Sequence, residues 1–476
     1  MQTIEHMGSN TTIYDLRFLA HIILEAETPI VIGSGRKTML TDSEILKDYN
    51  GLPYIPGTSI AGVIRHALPV DLGNKFFGIK DDKNNKGSEI IFSEAKLIND
   101  NGQVIDKLCN TDNNNFTKQF KDLPKRNHVR ISHKGVAEDH CKFDEEVIYK
   151  GSRFGFDIEM VAKESEKGDA SNAFDQVLTE IQKDTFRIGG GTRSGFGKMH
   201  SVSIKKRSFD LKKKEELSSY LATSSCLEKD YCSGWEDFDN SSEDHNWIKY
   251  SLTLTPQDFF SFGSGKGDND VDTVPVKESY VKWDGNNGFF VENALLIPAS
   301  SLKGALAHRV AYYYNLKHNI FAMQIPVEEF ENYTGSNNPA VRMLFGCQKE
   351  GEGETVQKRG LAIFNDIFAD YPGDKILNHV AIDRFTGGAM DGALYSEKVV
   401  YGIVEKKQIT FHTEVLIEKL PAIDNNDIEQ TIYNDAIDAF EKALGDINDG
   451  LLPLGGGNGR GHGIFKCEFL KIGYDY

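Results

Sequence analysis

Two glycine-rich runs constrain this chain more than any other feature. Arg187 to Met199 reads RIGGGTRSGFGKM, and Leu454 to Phe465 reads LGGGNGRGHGIF. Laying Gly189 on Gly455 needs no gap and brings Gly190, Gly191, Gly195 and Gly197 onto Gly456, Gly457, Gly461 and Gly463. Glycine in such numbers lets a loop pass through positive φ and admits a second backbone at close range. Free N–H groups in such a loop can also form an anion-binding nest. One run alone would read as an ordinary turn, but recurrence points to an internal duplication.

Other landmarks recur in the same order. A strand at Phe18 to Leu24 leads to Gly33-Ser34-Gly35, and one at Tyr250 to Thr255 leads to Gly263-Ser264-Gly265, at an offset of 263 − 33 = 230. Next come IPGTSIAG at Ile55 to Gly62 and IPASSLKG at Ile297 to Gly304. Proline disfavours helix before it and serine is a good cap, so helices are expected to begin near Ser59 and Ser301. Gly62 and Gly304 then fall in the first turn, suited either to a phosphate at the helix start or to tight packing on a sheet. Phe77-Gly78 matches Phe345-Gly346, and Ile91 to Glu94 matches Ile363 to Asp366. The Asn/Asp-rich insertion Asn99 to Asn115 is expected to be a mobile surface loop. His128-Val129-Arg130-Ile131 with Phe143 to Ile148, and His379-Val380-Ala381-Ile382 with Tyr395 to Val400, each read as a projecting β-hairpin.

Alternating apolar residues at Phe154 to Met160 and Ile409 to Ile417 give a further strand each. Helical patterns at Ala173 to Gln182 and Ile428 to Leu444 follow, then last strands at Lys198 to Ile204 and Gly463 to Lys471. The order β-α-β-β-α-β is ferredoxin-like. The expected fold is therefore α+β: two tandem ferredoxin-like (RRM-like) domains, 1–210 and 247–476, joined by a polar linker, 211–246, each with an inserted hairpin. A length of 476 residues exceeds what one core usually supports and agrees with this division.

The formal net charge of −17 excludes indiscriminate attraction to nucleic acid. Basic clusters at Lys118 to Lys134 and Lys205 to Lys214 leave room for a local groove. Six cysteines without a CxxC pair suit reduced thiols, although His133, His140 and Cys141 lie close enough in sequence to contribute metal ligands. Polar residues 1 to 15 and the lack of a long apolar run predict a cytoplasmic protein with no membrane partner. The glycine runs lack the Gly-Lys-Ser/Thr ending of a P-loop.

A duplicated ferredoxin-like domain with the IPGTSIAG helix start and a glycine run before its last strand resembles the RAMP superfamily of CRISPR systems. Within that superfamily the chain looks like the backbone subunit of type III effector complexes, and the tandem layout is similar to fused subunits of the type III-D group. The resemblance implies that each domain holds part of a CRISPR RNA, and that the hairpin acts as a thumb displacing a base of the guide–target duplex. Candidate RNA contacts are Ser59, Arg65, Gly189, Gly190, Gly191, Arg193, Lys198, Ser301, Lys303, Gly455, Gly456, Gly457, Arg460 and His462. His128, Arg130, His379 and Arg384 fall on the thumbs. Implied partners are CRISPR RNA, complementary target RNA and other type III effector subunits.

Catalytic members of the family place an acid on the loop after the first strand. Here the loop reads Thr41-Asp42-Ser43-Glu44-Ile45-Leu46-Lys47-Asp48 and fits the catalytic aspartate at Asp42, with Asp48 structural. A carboxylate beside a displaced nucleotide can hold Mg²⁺ or help deprotonate a 2′-hydroxyl. In the second copy the loop Lys277 to Asp284 puts Glu278 at the corresponding place, with Asp270 or Asp272 as upstream substitutes. The expected activity is metal-dependent cleavage of target RNA at Asp42, with a second centre at Glu278 or its upstream substitutes. Two other readings share the motifs. One is a non-catalytic guide-binding scaffold. The other is a CRISPR RNA processing endonuclease using His66 and His308, whose helical positions suit packing better.

Overall fold

The computed structural model describes residues 14–38, 41–80, 85–132, 134–228, 230–240, 245–347, 358–420 and 427–473. His133 and positions 229 and 241–244 of the connecting stretch lie outside the described residues. In the first half, β1 (Leu16–Ala26) leads through the acid loop to α1 (Gly57–Ala67), and β2 (Ile90–Phe92) follows. A hairpin of β3 (Lys125–Ile131) and β4 (Ala137–Glu146) precedes β5 (Arg153–Ala162), α2 (Lys167–Gln182) and β6 (Met199–Asp210). The sheet runs β6-β1-β5-β2, with antiparallel neighbours. Strict alternation drives it: Leu16, Phe18, Ala20, Ile22, Leu24 and Ala26 all point into the core from β1. From α2, Ala170, Ala173, Phe174, Val177, Leu178 and Ile181 cover that face.

The second half repeats the plan. It comprises β7 (Trp247–Pro256), a hairpin of β8 (Lys277–Asp284) and β9 (Asn287–Ile297), then α3 (Ala299–Lys317) and β10 (Ala362–Phe364). A second hairpin, β11 (Asp374–Ile382) and β12 (Ala389–Val400), precedes β13 (Phe411–Glu418), α4 (Asp427–Asn448) and β14 (Phe465–Ile472). Its four-stranded sheet, β10-β13-β7-β14, runs in the same order as β2-β5-β1-β6 of the first. Both halves are ferredoxin-like, as the order of patterns in the sequence implies.

Four local expectations change. The helices begin two residues early, at Gly57 and Ala299 with Pro56 and Pro298 as caps, so Ser59 and Ser301 sit inside the first turn and cap nothing. Proline's fixed φ and missing N–H suit that boundary, where no intrahelical donor is needed. The Asn99 to Asn115 insertion is packed, with Val104, Ile105 and Thr111 buried and Asn99 accepting two backbone N–H groups. Residues 211–240 are no free linker either. Glu236 and Asp237 pair with Lys206 and Lys205 on the edge of β6, and Cys232 and Trp235 bury themselves against Phe209. Tyr231 donates to Asp157 beside His21, so this strap covers the helix-free face of the first sheet.

Lys277 to Asp284, finally, is a strand and not a loop. The β8–β9 hairpin reaches onto the first domain, where Val281 joins that domain's core. There the Trp283 indole donates to Gly151 O at 2.7 Å, and Phe290 packs on Phe116, Phe120 and Tyr149. This apolar inset makes the two domains share one packed boundary.

Candidate nucleic-acid interface

The glycine runs are shaped first by the chain's own backbone. Gly189, Gly191, Gly195 and Gly197 all take positive φ, as do Gly455, Gly457, Gly461 and Gly463. A Cβ on Gly189 would stand 2.2 Å from Val31 O, and one on Gly455 2.4 Å from Ser261 O. Gly190 and Gly456 donate to those same carbonyls at 2.7 and 2.8 Å. These two N–H groups are therefore spent on the protein and are not available to an anion nest. The tips at Gly190, Gly191, Gly455 and Gly456 remain exposed.

The first run docks on the second domain. Gly195 bridges Asn365, the Arg187 guanidinium donates to Asn365 Oδ1 at 2.6 Å, and Lys303 of α3 donates to Ser194 Oγ at 3.2 Å. Arg193 reaches Leu361 O and Glu418, the latter already held by Arg359. Cations outnumber acids here. Burial lowers Arg187 to about 10, with Arg193 adding repulsion, and lowers Lys303 to about 8 for the same two reasons. The Arg187 Nε is buried with no hydrogen-bond partner among the described residues. An electropositive seam with an unsatisfied donor is a place for an anion.

Arg126, on β3, closes the other side of the seam. It forms a bidentate pair with Glu278 at 2.7 and 2.9 Å and a further bond to Asp366, and all three side chains are buried. Burial works against its charge, but Asp366 and Glu278 together hold the guanidinium above its ordinary value. Asp366 Oδ1 also accepts the Ala299 N–H at the start of α3.

That pairing corrects the placement of Glu278. Gly33 bridges Ile45 and Gly263 bridges Pro275, while Ser43 bridges Glu145 and Thr273 bridges Glu397. The offset of 230 therefore runs unbroken through both acid loops, carrying Asp42 to Asp272 and Asp48 to Glu278. Glu278 is a buried structural acid. Asp48 is its local counterpart, accepting the N–H groups of Asn50 and Leu52. Asp42 and Asp272 are both exposed and both are clasped to the returning strand of a hairpin. Asp42 N–H donates to Asp144 Oδ1 at 2.8 Å, and Asp144 N–H donates to Asp42 Oδ2 at 3.3 Å. In the second half the N–H and Oγ–H of Ser396 donate to Asp272 Oδ2 at 2.8 and 3.1 Å, and Asp272 N–H is shared between Ser396 O at 3.1 Å and Ser396 Oγ at 3.2 Å.

A family model for the RAMP superfamily matches residues 23–200 and again 262–466. The chain belongs to the RAMP superfamily. It is a tandem member, each match spanning one ferredoxin-like half, which places it among CRISPR-associated proteins that work with RNA. No curated protein matches it by sequence.

The remaining sequence candidates of this RAMP protein divide by exposure. Arg65 is exposed on α1, where it donates to Asn74 Oδ1 at 3.4 Å. Lys198 is paired with Glu27, and Arg460 with Glu397. His462 is buried beside Phe259. Gly62 and Gly304 have nothing within 4 Å of a notional Cβ, which removes the tight-packing explanation for them. His66 and His308 are exposed and not packed; the His66 ring bonds the Gly62 carbonyl.

At the hairpin bases His128 lies 3.0 Å from Glu145 and stacks on Phe143, and His379 lies 2.7 Å from Glu397 and stacks on Tyr395. These histidines brace the hairpins. Arg130 pairs with Glu138, and Arg384 stands exposed beside Phe385, which is 96% exposed at the second hairpin's tip. Among the described residues no three His, Cys, Asp or Glu side chains cluster closely enough to hold a metal ion, and His140 and Cys141 form no such group. No described helix is long and apolar enough to cross a membrane.

Sequence reasoning missed Asp144, Ser396 and Arg126. The first two carry no signal without the register that brings them to the acid loops. Asp272 was legible, since the ungapped offset from Gly33 to Gly263 already reached it.

Proposed function

We propose that this protein is a backbone subunit of a type III CRISPR effector that binds CRISPR RNA along its seam and glycine-run tips and cleaves complementary target RNA at two centres, Asp42 and Asp272. Its partners are the guide, the target and other effector subunits. The observation that carries the reading is the recurrence of one exposed acid, in one register, at the base of both hairpins, while Glu278 is withdrawn into the domain boundary. The clustered cations Arg187, Arg193 and Lys303, of which Arg193 pairs with Glu418, support guide binding.

In this reading the hairpins are thumbs that unstack a base. The carboxylate at the base then assists removal of the 2′-hydroxyl proton of the displaced nucleotide. The 2′-oxygen attacks its own 3′-phosphorus, the bond to the 5′-oxygen breaks, and that oxygen leaves with a proton, giving a cyclic phosphate and a 5′-hydroxyl. Asp42 would hold a Mg²⁺ ion through its carboxylate, with water and phosphate oxygens completing the shell, which is the usual habit of that ion. When bound it would neutralise charge on the scissile phosphate.

The scaffold reading draws on the same clasps, because an aspartate that already accepts backbone N–H groups has a structural job without any chemistry. Purified complex with labelled complementary RNA separates the two. Loss of one cut in Asp42→Ala and of the other in Asp272→Ala, with Glu278→Gln cutting at both places, is the expected outcome. Unchanged products from both alanine variants sink the catalytic reading.

A further inference from the structure

The two acid clasps are built alike but from different residues, Asp144 in the first half and Ser396 in the second. Both partners sit on the returning hairpin strand, one residue before the glutamate that bridges the acid loop. In each clasp only Oδ2 of the acid is engaged; among the described residues Oδ1 has no hydrogen-bond partner. A short side chain on an exposed loop would otherwise sample several rotamers. Reciprocal bonds in both directions fix the loop backbone and one carboxylate oxygen together.

We propose that Asp144 and Ser396 are positioning residues that orient Asp42 and Asp272 for attack on the target strand. This rests on the catalytic reading of those two acids. Because the clasp partner belongs to the hairpin, the acid's orientation follows the hairpin's seat, and a hairpin displaced from the duplex carries its acid out of line. Misplacement of a reacting group by about 1 Å lowers a rate by roughly 100-fold, so the clasp acts on the rate constant and not on affinity for target. The Asp-for-Ser difference makes the halves natural substitutes for one another. Either residue can accept the acid loop's N–H and offer its own N–H to the carboxylate.

The test uses the full chain in its complex, with guide and end-labelled target, in single-turnover cleavage across a range of complex concentrations. Ser396→Ala is expected to slow the cut assigned to Asp272 about 10- to 100-fold at saturation, with half-saturation and melting temperature unchanged and the Asp42 cut unaffected. Asp144→Ala is expected to do the same to the Asp42 cut. Ser396→Asp and Asp144→Ser, each importing the other half's residue, are expected to restore most of the rate. Equal rates in wild type and Ser396→Ala overturn the proposal, as does a loss confined to half-saturation or melting temperature, or one that Ser396→Asp fails to repair. Should Asp42→Ala and Asp272→Ala themselves leave cleavage intact, the catalytic reading fails and positioning fails with it. Abolition by those two variants with no effect of the clasp variants removes positioning alone.

Discussion

Arg126→Met would remove the one cation from a buried cluster that ties the first hairpin to β8 and to the start of α3. The methionine keeps most of the stem volume, so the change isolates the charge. Arg126 is 6% exposed, and the Glu278 and Asp366 side chains 3% and 1%, leaving two carboxylates side by side with little water. Removing one partner of a buried pair costs about 3–5 kcal/mol, which corresponds to two to four decades in the docking equilibrium, at ~1.4 kcal/mol per decade.

The loss has a definite pH dependence. Burial raises the Glu278 carboxyl even with Arg126 beside it. A carboxyl raised in the folded state contributes stability below its unfolded value that is lost as pH rises through its folded value. The variant is therefore weakest at pH 7 to 8 and recovers toward pH 5, where a proton replaces the missing cation. Urea unfolding followed by tryptophan fluorescence reports the joint directly, because Trp283 lies in it with the Arg153 guanidinium 4.1 Å from its ring. A variant within ~1 kcal/mol of wild type at pH 7, or one that weakens further on acidification, would refute an electrostatic joint.

Two further outcomes follow from the same boundary and from the glycines. Lys303, lowered to about 8 by burial, is charged below that pH. Guide RNA affinity should be flat up to pH ~8 and then fall, by less than tenfold per pH unit; Lys303→Arg should stay flat through pH 9.5 in a filter-binding titration. Gly62→Ala meets no atom within 4 Å and should stabilise the free protein by about 0.5–1 kcal/mol. A guide affinity that nevertheless drops locates the RNA backbone at that helix start. Gly189→Ala, at φ +94° against Val31 O, should instead destabilise the protein by at least 1–3 kcal/mol, on the order of other forced left-handed residues, with or without RNA.

Much of the fold was legible because each element buries one face. Alternation along β1 and the i, i+3, i+4 spacing of Ala170, Ala173, Phe174 and Val177 need no tertiary information to read. The glycine runs were legible because they recur, and the structure gives the cause: a backbone oxygen 2.2 Å from a would-be Cβ at Gly189 and 2.4 Å at Gly455 excludes every other residue. Reading failed where long-range contacts reassign a residue. Glu278 looked like a loop acid because the motif spacing allowed it, but it lies on β8, paired with β9, and the guanidinium it meets comes from 152 positions away. Asn99 to Asn115 looked free because its composition is polar, while Val104 and Ile105 still found a core.

What the sequence determined by itself was the doubled α+β plan, the order of its strands and the first acid loop, since period and repeat are properties of the chain alone. Tertiary structure decided which acids stay in water. Asp42 and Asp272 lie on loops held at a hairpin's base, whereas Glu278 lies where two domains close over it, and only the closing of that boundary exchanges its water for Arg126.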